Sequence, residues 1–197
     1  MKPDRLDRQV RFILEIDQLK SVLRQAYLCH SERREDSAQH SWHAAVAAQL
    51  LAEYSDRAID RCRVLQMLLV HDIVEIDAGD TYCFDNGGQA GKAEREERAA
   101  ARLFGMLPTG QSEELYAIWR EFEAGQTPEA QFAVAIDRLL PLLHNYWTQG
   151  KLWKDNRITS DLEYERIDCI RGSSRRLWEL ANFIIHESVR MGYLAQA

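Results

Sequence analysis

The sequence predicts a single all-α domain built as a bundle of helices. Apolar residues recur at helical spacing along the 197-residue chain, and the period-2 alternation of half-buried strands is rare. Hydrophobic residues make up 46% of the chain, as in ordinary globular proteins, and the length suits one substantial core. We therefore expect one domain over residues 1–197, with its functional core at about 10–150 and a helical extension over 151–197.

Apolar periodicity and cap residues delimit the expected elements. The predicted helices cover residues 4–27, 37–54, 58–76, 92–104, 112–124, a segment opened by Thr127-Pro128, and 160–191 with a break near Gly172. Residues 77–91 contain four glycines and predict a loop. A connection of about fifteen residues exceeds the usual length, and loops of that size are often functional.

Charge and cysteine usage exclude several classes of function. The net charge of −6 argues against nonspecific binding to nucleic acid or to acidic membranes, which favours a basic surface. The N-terminus is too charged for a signal peptide, and no apolar run has the length of a membrane span. The four cysteines are scattered without a C-x-x-C spacing, which indicates reduced thiols in a cytoplasmic protein.

The most informative feature is the dipeptide His71-Asp72, late in an apolar run over residues 64–76. A buried polar group needs a partner, and a buried charge needs a counter-charge or a metal ion. Further groups of the same kind occur nearby in the sequence: His40 opens an earlier helix, Glu75 follows His71 by one turn, and Asp137 interrupts another apolar helix. These groups predict a divalent-cation site suited to phosphate chemistry.

Helical geometry supports this prediction. His40 shares a face with small apolar residues, which lets another helix approach closely, and His71, Asp72 and Asp137 each lie within apolar segments of the predicted helices. Two imidazoles and two carboxylates suit Mn²⁺, Co²⁺, Fe²⁺, Ni²⁺ or Zn²⁺. Four protein ligands on an octahedral ion leave about two positions for water or a phosphate oxygen, as in a catalytic site.

Each residue also has an ordinary structural interpretation. His40 with Asp36 or Ser37 could form a helix cap, and Asp137 with Arg138 could form a surface ion pair. His43 favours a supporting or substrate-facing role, and His30, His144 and His186 favour ordinary surface or packing roles. The order His…His-Asp…Asp favours the metal site over these separate explanations.

That ordered set resembles the HD-domain superfamily of metal-dependent phosphohydrolases, in the branch that contains the bacterial 5′-deoxynucleotidases. The matching segments are Leu19-Lys20 with Arg24, Arg33-Arg34-Glu35, the stretch 38–43, the block 71–81 and the stretch 137–141. The resemblance implies a helical HD-type bundle whose metal ligands are His40, His71, Asp72 and Asp137. It implies that Glu75 and Asp80 promote catalysis and that Arg24 binds phosphate.

The expected reaction is hydrolysis of a small phosphate ester, most simply a nucleoside 5′-monophosphate. Asp72 would hold both the metal and the attacking water, while Glu75 and Asp80 would orient water or protonate the leaving group. Arg24 would donate to the phosphate. We also expect substrate contacts from Gln25, Arg33, Arg34 and Thr81.

The chain departs from the family pattern at three places. Gln39 replaces a Glu common before the first ligand, which weakens a supporting hydrogen bond. Gln25 stands where the deoxynucleotidase has a Trp that senses the missing 2′-hydroxyl. The residues after Asp80 also differ, so selectivity for deoxy sugars is open.

Other classes of function remain. An HD fold that binds a metal or nucleotide for regulation is one, although Glu75 and Asp80 argue for turnover. Phosphodiester or pyrophosphate hydrolysis is another, and a homodimer is left open. A di-iron oxygenase on this fold needs further histidines after the His-Asp pair, and residues 73–136 contain none.

Overall fold

The computed structural model describes residues 4–84 and 86–197. Helices dominate it, as predicted. The helices among these residues are α1 Arg5–Glu15, α2 Ser37–Leu51, α3 Arg61–Val70, α4 Glu75–Ala78, α5 Asn86–Gln89, α6 Lys92–Phe104, α7 Thr109–Ala124, α8 Pro128–Trp147, α9 Lys151–Asp155, α10 Ser160–Ile167, α11 Cys169–Ser173 and α12 Arg175–Arg190. Three 3₁₀ turns cover Ile16–Ser21, Ala52–Tyr54 and His71–Val74, and two strands are β1 Leu23–Tyr27 and β2 Arg34–Asp36.

Helix α8 forms the centre of the bundle. It packs against α2, α3, α7, α11 and α12, and its Phe132, Ile136, Leu139 and Leu142 have no exposed surface. On α2 the facing side chains are small, and Ala44 is fully buried. Small side chains let helix axes approach closely, so the polar residues on these helices come near one another.

The first predicted helix is wrong in its second half. Helix α1 ends at Glu15, a 3₁₀ turn follows, and β1 pairs antiparallel with β2. The apolar spacing of this segment fits a helix, but pairing with the neighbouring strand β2 and the contact of Arg24 with Asp72 outweigh local propensity. Because successive strand residues face opposite sides, Arg24 and Ala26 are buried while Leu23 is exposed.

The His-Asp dipeptide lies where helical geometry tightens. Helix α3 stops at Val70, and residues 71–74 form a 3₁₀ turn before α4. In a 3₁₀ turn residues three apart lie on the same side, which aligns Asp72 with Glu75. Helix α4 ends at Ala78 and is capped by Gly79, whose φ of 74° favours glycine, and this turn leads into Asp80.

Several element boundaries also differ from the predictions. Helix α3 begins at Arg61 rather than residue 58, because Asp60 caps it by accepting from the Cys62 and Arg63 backbone amides. Helix α7 begins at Thr109 rather than residue 112, and the expected loop contains the short helix α5.

The predicted break near Gly172 is confirmed, because Ser174 is extended between α11 and α12. None of the described helices combines the length and apolarity needed to cross a bilayer.

Candidate metal centre

The four predicted metal ligands come together in the structure. Nε2 of His40 lies 2.8 Å from Oδ1 of Asp137, and Nε2 of His71 lies 3.8 Å from the same oxygen. Oδ1 of Asp72 is 3.0 Å from the His71 Nε2. All four residues are buried. Residues 40, 71 and 72 each offer a ligand atom within 4.8 Å of the others, a spacing that one ion can bridge.

Three parts of the chain deliver these side chains. Helix α2 begins at a capping box in which Asp36 accepts from the Gln39 backbone amide and the Gln39 side chain accepts from that of Asp36. His40 follows within the first turn. Gln39 therefore caps the helix, a role that differs from the supporting hydrogen bond expected of a Glu at this position. The 3₁₀ turn supplies His71, and the buried face of α8 supplies Asp137.

The hydrogen bonding of His71 leaves one ring nitrogen suited to a metal. Its Nδ1 lies 3.0 Å from the Leu68 carbonyl oxygen, so we assign the proton to Nδ1 as donor. Nε2 faces Asp72 and Asp137 but makes no hydrogen bond to any residue the structure describes. Burial lowers the pKa of His71, yet these two carboxylates raise it to about 9, so an ion that binds Nε2 would displace a proton from it. The Phe122 ring lies 4.7 Å from the imidazole and shields it from solvent.

Arg24 lies among the carboxylates of this cluster. Its Nη1 donates to Oδ2 of Asp72 at 2.9 Å, and β1 holds the side chain buried. Burial disfavours the guanidinium charge, but the carboxylates around it raise the net pKa of Arg24. Four further carboxylates have an oxygen 3.9–4.0 Å from the guanidinium, those of Glu35, Glu75, Asp80 and Asp137. One guanidinium facing five carboxylates leaves an excess of negative charge that suits a divalent cation.

The two predicted catalytic acids lie beside this cluster. Ser37 Oγ donates to Oε2 of Glu75 at 2.6 Å, and both groups are buried. Burial and the nearby Asp72 carboxylate raise the pKa of Glu75 well above its usual value, against the effect of Arg24. Burial likewise raises the pKa of Asp80. A carboxyl group with a raised pKa suits proton transfer near neutral pH.

The remaining predicted substrate-binding residues, Gln25, Arg33, Arg34 and Thr81, pair with different partners around the cluster. Gln25 accepts a hydrogen bond from Arg34, whose guanidinium lies 5.5 Å from the Tyr27 ring centre. The side chain of Arg33 is 52% exposed and approaches Asp36 at 3.9 Å, so it does not join the cluster in the described structure. Thr81 Oγ1 accepts from Arg95 at 3.2 Å.

Two cavities open at the cluster. One of about 110 Å³ is lined by His71, Asp72, Glu75 and Asp137. The other, of about 50 Å³, shares residues with the first that include Arg24, Asp80, Thr81 and Arg138. Its additional lining includes Gln25, Arg166, Tyr82, Phe84 and Trp153. This adjoining space offers aromatic surfaces and cationic side chains next to the predicted metal ligands.

Sequence reasoning assigned no chemical role to two buried residues of the centre. The sequence predicts only a capping role for Ser37, but its hydroxyl donates to Glu75. Glu35, 1% exposed, places Oε2 3.3 Å from Nδ1 of His40. A carboxylate beside the outer nitrogen of a ligating histidine is common in metal sites. The sequence gives little sign of this role, because Glu35 lies in a charged stretch of the kind that usually forms a solvent-exposed loop.

Comparison with known proteins agrees with this geometry. The family model described as HD domain matches residues 16–178, and the chain therefore belongs to the HD-domain family. The chain is similar to the 5′-deoxynucleotidase HDDC2 of Mus musculus, 32% identical over 66% of this chain, and of Danio rerio, 28% identical over 72%. The matches span 64% of the mouse protein and 70% of the zebrafish protein.

Solved structures show the same fold. A protein of Magnetospirillum magnetotacticum MS-1, described as a predicted metal-dependent phosphohydrolase, is 52% identical with a TM-score of 0.93, covering 97% of this chain and 96% of that one. The protein PH0347 of Pyrococcus horikoshii OT3 has a TM-score of 0.61 at 23% identity, covering 92% of this chain and 99% of that one. At 23% identity, the similarity to PH0347 shows a shared fold alone.

Proposed function

We propose that this chain is a divalent-metal-dependent phosphohydrolase that acts on nucleoside 5′-monophosphates. The main support is the convergence of His40, His71, Asp72 and Asp137 from three parts of the chain, with the unpaired Nε2 of His71 directed into the cluster. This mixed nitrogen and oxygen set suits Mn²⁺, Co²⁺, Fe²⁺, Ni²⁺ or Zn²⁺.

Each residue has a role in the proposed hydrolysis. A divalent cation, when bound, supplies a Lewis acid that offsets phosphate charge and acidifies water. Arg24 donates to a phosphate oxygen. To do so, its guanidinium turns away from Asp72, to which it donates in the structure. Glu75, fixed by Ser37, accepts the proton of the attacking water. Asp80, on the loop after Gly79, donates a proton to the leaving oxygen, a role that its raised pKa favours.

The nucleotide assignment is supported by similarity and by the adjoining cavity. The curated relatives are named 5′-deoxynucleotidases. Tyr82 and Phe84, both partly exposed, give the cavity beside Asp80 aromatic surfaces against which a nucleobase can pack. Gln25 offers both a donor and an acceptor to a ribose hydroxyl, so we propose little discrimination between ribo- and deoxyribonucleotides.

Two finer assignments complete the proposal. The four cysteines are all free, which supports a cytoplasmic location. A homodimer is supported by the exposed apolar side chains of Trp42, Val46 and Leu50, which follow one another at four-residue spacing along α2. Sedimentation of the purified protein measures the oligomeric state.

A metal-dependent phosphatase assay tests the function. Protein loaded with Mn²⁺ or Co²⁺ is expected to release phosphate from dAMP and AMP, and chelation is expected to abolish the release. The Asp72→Asn variant should lose the ion and the activity together, whereas Asp77→Asn, in the same region and paired with Arg102, should keep both. Loss of activity in both variants, or activity that persists after complete metal removal, would contradict the proposal.

A further inference from the structure

A second cluster of metal-binding side chains lies behind His40, on the side away from His71. Glu35 comes from β2, His43 from α2 and His144 from α8, and each offers a ligand atom within 4.8 Å of the others. Glu35 is 1% exposed and His144 is 4% exposed, while His43 is partly buried. The cluster shares no residue with the set His40, His71, Asp72 and Asp137.

Two buried atoms of this cluster have no hydrogen-bond partner among the described residues. They are Oε2 of Glu35 and Nδ1 of His144. The closest cationic or donor groups to the Glu35 oxygen are Nδ1 of His40 at 3.3 Å, which lacks the alignment of a hydrogen bond, and Nε of Arg24 at 3.9 Å. Leaving such groups unsatisfied costs about 1–3 kcal/mol each, more for a charged one. In folded proteins, most buried polar atoms of this kind are satisfied by an ion or an ordered water.

The arrangement fits a shared cation better than direct hydrogen bonds. No hydrogen bond joins Glu35, His43 and His144 in the described part of the chain, and the rings of His43 and His144 lie nearly parallel with centres 5.4 Å apart. Ligand atoms on one Zn²⁺ ion, each about 2.0–2.2 Å from it, lie roughly 3–4 Å from one another. Small side-chain rotations bring atoms within 4.8 Å to that spacing.

We propose that Glu35, His43 and His144 form a second divalent-cation site, of the two-histidine, one-carboxylate kind that binds Zn²⁺ or Co²⁺. Water completes the coordination on the partly exposed side of His43. The site joins β2, α2 and α8, so it fixes the elements that carry His40 and Asp137. It also fixes the Glu35 carboxylate beside Nδ1 of His40, which orients that imidazole toward the first ion.

Metal counting tests the second site without reference to activity. The full chain, stripped of metal, reloaded with Co²⁺ or Zn²⁺ and desalted, is expected to retain two ions by mass spectrometry. His43→Asn and His144→Asn should each retain one ion. His186→Asn, which alters an exposed histidine elsewhere, should retain two. Because His43 is partly exposed, its variant is expected to fold, and thermal melting checks this.

Other outcomes separate this site from the proposed catalytic centre. Asp137→Asn should lose the first ion and keep the second. If the wild type retains one ion and His43→Asn retains none, the second site stands and the first does not. If His43→Asn and His144→Asn bind as many ions as the wild type, the second site does not exist.

Discussion

The hydrogen bond from Ser37 to Glu75 gives a direct test of the catalytic role of that carboxyl group. Ser37→Ala removes the donor that lies 2.6 Å from Oε2, inside a region with almost no exposed surface. A hydrogen bond to a charged group contributes about 1.5–3 kcal/mol. If it orients Glu75 in the transition state, its loss lowers kcat about ten- to a hundred-fold. Bound metal should not change, because Ser37 is not a predicted ligand.

The same substitution has a predicted effect on pH dependence. The Ser37 hydrogen bond lowers the pKa of Glu75, against the stronger effect of burial. Removing the hydrogen bond therefore raises this pKa further. Because Glu75 acts as a base in the proposed reaction, the acidic limb of the kcat profile should move to higher pH in the variant.

Ser41→Ala is the matched control. Ser41 lies on the same helix, one turn later, and is equally buried, but its hydroxyl has no hydrogen-bond partner among the described residues. Steady-state phosphate release from dAMP, measured between pH 5 and pH 9 (roughly the range in which such carboxyl groups titrate), compares the two variants. Equal kcat and equal pH profiles for the two would refute the role assigned to Ser37 and Glu75.

Three further predictions follow from the same structure. Glu75→Gln should keep the bound ion but lower kcat by about 10²–10⁴-fold, the usual contribution of a general acid or base, and wild-type turnover would exclude this role. Gln25→Trp should favour dAMP over AMP by about ten- to a hundred-fold in kcat/KM, because the 2′-hydroxyl of AMP loses Gln25 as its hydrogen-bond partner. A strong preference for dAMP in the wild type would show that other residues set the selectivity. Phe104→Ala, at a fully buried site, should lower the free energy of unfolding by about 3–5 kcal/mol in urea denaturation. Phe183→Ala, at a site 58% exposed, should lower it little. Equal losses in the two variants would contradict the assignment of Phe104 to the core.

The sequence predicted the bundle because helical periodicity is a local property. The ends of α6 and the break between α11 and α12 follow from glycine and polar residues that interrupt apolar runs. The strand β1 is not recognisable from its apolar spacing, which also fits a helix. It forms a hairpin with β2, and its Arg24 pairs with Asp72, a contact that no local window contains. Local propensity thus gives the class of fold, whereas the buried position of Arg24 on β1 depends on carboxylates distant in the sequence.

The candidate site was predictable to a similar degree. His71 and Asp72 are conspicuous because they are polar residues within an apolar run. Burying such residues without a partner costs free energy, so their presence indicates a function. Ser37 and Glu35 stand in a polar stretch, where nothing distinguishes a buried partner from a solvated one. The role of Ser37 depends on the approach of α4 to α2, and that of Glu35 on the approach of β2 to α2, which only the folded structure shows.

Anomalous diffraction from a crystal soaked in Mn²⁺ tests the central claim most directly. We expect a peak enclosed by His40, His71, Asp72 and Asp137, about 2.0–2.3 Å from a ligand atom of each. A saturating soak that gives no peak within this cluster, in protein that retains its metal-dependent phosphatase activity, would contradict the claim that these four residues hold the catalytic cation.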